Sequence, residues 1–158
     1  MLTFLTHPVV LLTLGGAVGT NARYWLSVYI TARSEQWFPT EYGNLRAPLA
    51  IFLINVTGSL LLGLLVLPLR DPFPRHLQHW WILFGVGFCG GYTTFSSFAV
   101  DTVELIRKHH QPGMAILNVA LSVLVSCAVV WMSIAGMERL QPTTPVMEVE
   151  GSQKQTEP

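Results

Sequence analysis

Four long apolar stretches, at about residues 9–30, 49–67, 80–100 and 114–135, dominate this chain of 158 residues. Each comes close to the ~20 residues that a helix needs to cross about 30 Å of hydrocarbon. Between the stretches, charge collects in the gaps. Arg33, Glu35, Glu41 and Arg46 fall in the first, Arg70, Asp71 and Arg75 in the second, and Asp101 to Lys108 in the third. Only 11% of the residues are charged, against roughly 25% in an ordinary soluble domain. Trp25, Trp37, Tyr42, Trp80 and Trp81 stand near the expected span ends, where amphipathic rings favour the membrane interface. The pattern predicts an all-α membrane protein with four transmembrane helices. The first stretch follows no Lys or Arg and continues through Arg23 without a clear cleavage site, so it reads as a retained helix rather than a signal peptide.

Residues 1–140 then form one four-helix transmembrane domain. After Gly136 the chain turns polar and rich in Pro, Glu, Thr and Gln, and such a composition cannot bury enough apolar surface to order itself. Residues 141–158 are accordingly expected to be a disordered polar tail. Cys89 and Cys127 fall inside spans and read as buried, apolar-like thiols with no disulfide framework.

Four spans put the N-terminus, the loop around Arg75 and the tail on one side of the membrane. Arg70, Arg75, Arg139 and Lys154 lie on that side, and Arg33, Arg46, Arg107 and Lys108 on the other. Four cations face four, so the excess of Lys and Arg that normally sets orientation is absent. Either the short loops carry few charges by chance, or the chain inserts both ways and two opposed copies pair about an axis in the membrane plane. Gly15, Gly16 and Gly19 on the first span, with Gly58, Ser59 and Gly63 on the second, favour close helix approach in either case.

Several polar groups fall within the spans. Arg23 is the one cation inside a span, which is costly unless it reaches water, the interface or a partner. It either snorkels from a helix end or forms a positive wall that concentrates anions. Asn55 lies near the middle of the second span. Its amide can tie two helices together or donate to a partly dehydrated anion. Asn118, Ser122 and Ser126 recur every four residues on the last span and share one face, as helix glue or as a file of donors.

The third span carries the most information, with Gly-Phe-Cys-Gly-Gly-Tyr-Thr-Thr-Phe-Ser-Ser-Phe at 87–98. Gly90 and Gly91, beside Thr93 and Thr94, weaken the helix at its centre, since each Gly costs about 1 kcal/mol relative to Ala. A break at this depth is tolerated only when it is buried in protein or lines a cavity. Its freed carbonyls suit a small hard cation such as sodium. Phe95 and Phe98, three residues apart, share a helix face. They are either packing residues or a path of positive ring edges for an anion.

Together these segments, with Gly-Gly-Ala-Val-Gly-Thr-Asn-Ala-Arg-Tyr at 15–24 and Asn-Val-Thr-Gly-Ser at 55–59, resemble the Fluc/CrcB family of fluoride ion channels. The resemblance runs from Gly15 to about Ala135. It implies an antiparallel, dual-topology homodimer in the bacterial inner membrane, with two parallel, oppositely built pores for passive fluoride efflux that protects the cell from fluoride. It also implies a structural, non-transported sodium ion (Na+) at the dimer centre, held by the carbonyls of Gly90 and Thr93 from each subunit. By the same resemblance Phe95 and Phe98 are the pore phenylalanines, Asn55 the pore amide and Arg23 the vestibule arginine. Ser122, with Ser126 and Thr94, belongs to a hydroxyl track, and Asp101 has an orienting role. Asn118 departs from the pattern, because the family often has Tyr at that place.

A proton-coupled exporter of similar size needs a carboxylate at membrane depth, and the first two spans have no Asp or Glu. His76, His79, His109 and His110 fall in loops or at interfaces without matching Cys or carboxylate ligands, which argues against a metal transporter or metalloenzyme. No nucleophile and base can be paired, and a net charge of zero gives no basis for binding nucleic acid.

Overall fold

The computed structural model describes residues 6–36, 40–70 and 77–140, and within them the chain is helical without a strand. Trp37, Asp71, Arg75, His76 and the tail 141–158 lie outside the described residues. Helix α1 spans Pro8–Ser34 and α2 spans Arg46–Arg70, joined through a short 3-10 turn at Thr40–Leu45. The third expected span is composite: α3 (Gln78–Trp80), a π-helical segment (Trp81–Phe88), α4 (Cys89–Tyr92) and α5 (Phe95–Arg107). The last helix, α6, is Pro112–Leu140.

Pro8 suits the first turn of α1, where its missing N–H has no helical partner to lose, and the His7 ring accepts from the Val9 N–H at 3.3 Å. Three helical runs, Tyr42–Leu69, Gln78–Arg107 and Pro112–Leu140, are long and apolar enough to cross a membrane. Helix α1 is not among them. Its 27 residues reach roughly 40 Å at ~1.5 Å per residue, but Gly15, Gly16, Thr20, Asn21 and Arg23 dilute its apolar character. Each helical run overshoots its expected span by one to seven residues at an end, because backbone hydrogen bonding continues past the apolar stretch.

The glycines of α1 explain how that helix is held. A Cβ on Gly15 would overlap the Leu83 carbonyl oxygen, and one on Gly19 the Phe88 carbonyl oxygen. The backbones of α1 and the π segment therefore touch along a small-xxx-small seam. Gly91 meets Gly16 in the same way, and the Thr20 hydroxyl donates to the Gly91 carbonyl at 3.4 Å. Gly58 on α2 is covered by Thr93 and the Tyr92 ring, while Gly63 admits Ser133 of α6. These small residues are thus spent on packing within one chain.

At one end of the bundle Arg46 pairs with Glu35 at 3.1 Å, and the Asn44 amide donates to the Gln111 side chain at 2.7 Å. Those contacts bring Glu35, Asn44 and Arg46 to the end of the bundle where α6 begins. The core is thin: Ala50 and Ile54 of α2 and Leu105 of α5 are almost fully buried. Val18, Trp25, Ile116, Leu124 and Trp131 are exposed, as lipid or a second chain would allow. Cys89 is buried, but Cys127 is exposed, which corrects the expectation of two buried thiols: α6 presents that position at an open groove.

Candidate functional site

The helix breaks at Thr93 and Thr94, at the threonine end of the run that the sequence marks as weak. Thr93 (φ −80°, ψ 157°) and Thr94 (φ −149°, ψ 119°) are extended, whereas Gly90 and Gly91 sit in regular α4. What holds the break open is a side chain from α2. Asn55 accepts from the Thr94 N–H at 2.8 Å and donates through Nδ2 to the Thr94 carbonyl at 3.1 Å. Thr94 is also the N-cap of α5, its hydroxyl accepting from the Ser97 N–H at 3.2 Å, the usual service of a Thr at that position. Before the break, the Thr93 N–H and hydroxyl both donate to the Cys89 carbonyl at 2.9 Å.

Around this break lies an open groove of about 650 Å³ between α2, the composite third span and α6. Asn55, Thr94, Phe95, Phe98, Ser122 and Ser126 all line it, together with Gly90 and Thr93. The remaining wall is mostly apolar, including Leu62, Val66, Trp81 and Val123. The rings of Phe95 and Phe98 lie 5.5 Å apart at 51°. Their settings differ: Phe98 is 9% exposed and Phe95 78%. Ser122 carries a buried hydroxyl without a hydrogen-bond partner among the described residues. Asn55 spends one of its two amide hydrogens on Thr94 and keeps the second. The groove is therefore apolar, with a few donors at its inner wall.

Two of the sequence-predicted residues stand apart from it. Arg23 is half-buried on α1, makes no ion pair among the described residues and does not line the groove. Asp101 lies beyond the groove on α5, with one carboxylate oxygen buried and unpartnered among the described residues. Asn118 also lies outside the groove, donating to the Thr102 hydroxyl at 2.9 Å, so here it joins α6 to α5. Asn118→Ala is expected to lower stability by about 1 kcal/mol and leave the groove unchanged, as a thermal-unfolding comparison with the parent would register.

Sequence reasoning missed the π-helical turn, although Gly85 and Gly87 in an apolar run were a possible signal. It also missed Tyr92, whose hydroxyl lies 2.9 Å from the Thr57 hydroxyl and whose ring stacks on Phe88 at 5.6 Å. The Gly90 and Thr93 carbonyls fit a hard cation, because the extended pair removes them from the regular helical ladder. The side chains add no acidic or histidine cluster: no group of three such metal-binding residues occurs among the described residues.

Three apolar helices of spanning length, one of them broken beside a donor-bearing groove, define a multi-pass helical membrane protein. The sequence profile described as "CrcB-like protein, Camphor Resistance (CrcB)" matches residues 10–134, and the chain belongs to that family. It is 37% identical over 126 residues to the "Fluoride-specific ion channel FluC" of Coxiella burnetii, covering 80% of this chain and 94% of that relative. The Rhodospirillum rubrum protein of the same description is 40% identical over 124 residues, 77% of this chain and 88% of its own. "Fluoride-specific ion channel FluC 1" of Listeria monocytogenes is 41% identical over 99 residues, 63% and 71% of the two chains.

Proposed function

We propose that this chain is one subunit of a fluoride-specific channel, not an enzyme, that carries the ion passively out of the cell. The observation that carries the reading is the groove, whose lining gathers Asn55, Thr94, Phe95, Phe98, Ser122 and Ser126 from three elements. The names of the relatives agree with it. Fluoride is small and strongly hydrated, so an apolar path alone would exclude it, and a dry, fully charged site would hold it too firmly for throughput. Here the donors are few and neutral. The free hydrogen of Asn55 and the hydroxyls of Ser122 and Ser126 replace part of the lost water, while the Thr94 hydroxyl, donating to Ser97, borders the path. The positive edges of Phe95 and Phe98 carry the ion along the narrow part. Arg23 draws anions into a vestibule, and Asp101 orients the end of the path.

Two chains inserted in opposite directions complete the channel, with α1 as a fourth span. A wall open on one side, an outer Phe that is 78% exposed and a cation tally of four against four all support that arrangement. The carbonyls of Gly90 and Thr93 from both copies would hold a structural sodium ion. When bound, it supplies a fixed positive charge at the dimer centre. Gly90 suits this place, since a Cβ there would meet nothing within 4 Å in its own chain. A bulky residue at Gly90 would accordingly obstruct the second copy rather than the fold of the first.

Purified protein in fluoride-loaded liposomes is expected to release fluoride while retaining chloride in a parallel preparation. Equal release of both, or of neither, would refute the reading. For topology, a single Cys is placed in the tail of a variant lacking Cys89 and Cys127, and the bacterial inner membrane is probed with an impermeant reagent. Labelling from both faces is the expected result, and labelling from one face only would remove the dual-topology arrangement.

A further inference from the structure

Resting on the cation reading above, we propose that Asn55 and the Thr94 hydroxyl are positioning groups for the cation: they capture the two N–H donors that would otherwise silence its carbonyl ligands. In a continuous α-helix each N–H bonds the carbonyl four residues back. The Thr94 N–H would then close on the Gly90 carbonyl, and the Ser97 N–H on the Thr93 carbonyl. Those are the two carbonyls that the cation needs. In the structure both donors point elsewhere. The Thr94 N–H goes to Asn55 Oδ1 at 2.8 Å, and the Ser97 N–H to Thr94 Oγ1 at 3.2 Å.

The lock is reciprocal. Asn55 also donates to the Thr94 carbonyl at 3.1 Å, which fixes the peptide from both sides and keeps the segment extended. Thr94 Oγ1 is itself held, lying 3.1 Å from the Ser97 hydroxyl and 3.2 Å from that of Ser96. The two donors that would otherwise close on the Gly90 and Thr93 carbonyls are thus paired with side-chain oxygens, and those two carbonyls can accept a cation at little cost in lost hydrogen bonds. Asn55 lines the anion groove as well, so one side chain connects the cation ligands to the fluoride path.

The test is a sodium titration of thermal unfolding on the purified full-length protein, with N-methylglucamine as the replacement cation. A ligand that binds only the folded protein raises its unfolding temperature with concentration. The parent should respond to sodium, and Asn55→Leu and Thr94→Val should need at least roughly ten-fold more sodium for the same response, the effect of about one hydrogen bond. Thr94→Ser, which keeps the hydroxyl, should restore the parent value. A general packing role would lower the unfolding temperature without moving the half-saturating sodium concentration. Parent-like half-saturation in Asn55→Leu and Thr94→Val would overturn the inference alone. A parent protein indifferent to sodium would overturn the cation reading itself, whatever its fluoride flux. Should neither variant fold, amide exchange on the sodium-free parent decides. Thr94 and Ser97 should remain protected, because their acceptors are side chains, and rapid exchange of both would sink the proposal.

Discussion

Phe95→Ile, reconstituted in liposomes, is expected to slow fluoride efflux by about ten-fold, and the Phe95→Ile, Phe98→Ile double variant by up to roughly a hundred-fold. The estimate takes about 1.4 kcal/mol of lost ring-edge attraction per ring, and each such increment in a barrier is a factor of ten in rate. Ile keeps much of the apolar volume and removes the quadrupole. Phe95 is the cleaner of the two sites. It is 78% exposed in the single chain, so its replacement removes little of that chain's own packing. Phe98 is 9% exposed, and Ile there should also cost about 1–2 kcal/mol of stability through a small cavity. Flux at the parent rate from a normally assembled Phe95→Ile protein would return both rings to a packing role. The 5.5 Å ring separation would then be ordinary aromatic contact.

The second large effect concerns the fold. Gly19→Val should abolish folded protein, and Gly19→Ala should cost about 3 kcal/mol or more by overpacking. The obstacles are backbone atoms, namely the Phe88 carbonyl and, at 2.9 Å, the Tyr92 nitrogen. Neither can swing aside as the tip of a long side chain would. Relief requires α1 to move off the π segment and α4, which also carry the start of the break. The internal control is Gly136→Ala on α6, where a Cβ meets nothing within 4 Å. That change should be neutral or stabilising by up to about 1 kcal/mol, the helix-propensity difference. Size-exclusion profiles and unfolding midpoints of the two Ala variants make the comparison. Equal tolerance at both positions would show that α1 does not lie on the third span as described.

The residues of the groove were legible in the sequence because their chemistry is conspicuous in an apolar setting. An amide at Asn55, hydroxyls every four residues on the last span and two Phe three apart stand out wherever they fall. Arg23 was equally conspicuous, yet it does not line the groove of the single chain. Spacing along α1 says nothing of which neighbour that helix will meet. Asn118 shares its four-residue interval with Ser122 and Ser126, but its amide is taken by Thr102.

Alone, the sequence determined that the chain is helical and belongs in a membrane, that its third span is weakened near the middle, and which polar groups travel at that depth. Those are consequences of composition and of 3.6-residue periodicity, which are local. Tertiary structure decided where the break falls and what it does. Of the weak run that holds Gly90, Gly91, Thr93 and Thr94, the glycines remain helical, with Gly91 in close approach to Gly16, and only the two threonines are extended. The break settles at Thr94 because Asn55, 39 residues away in the chain, supplies the acceptor and donor that an extended Thr94 requires. A helix gives up its own hydrogen bonds at membrane depth only where another element replaces them, and which element does so depends on packing between distant segments.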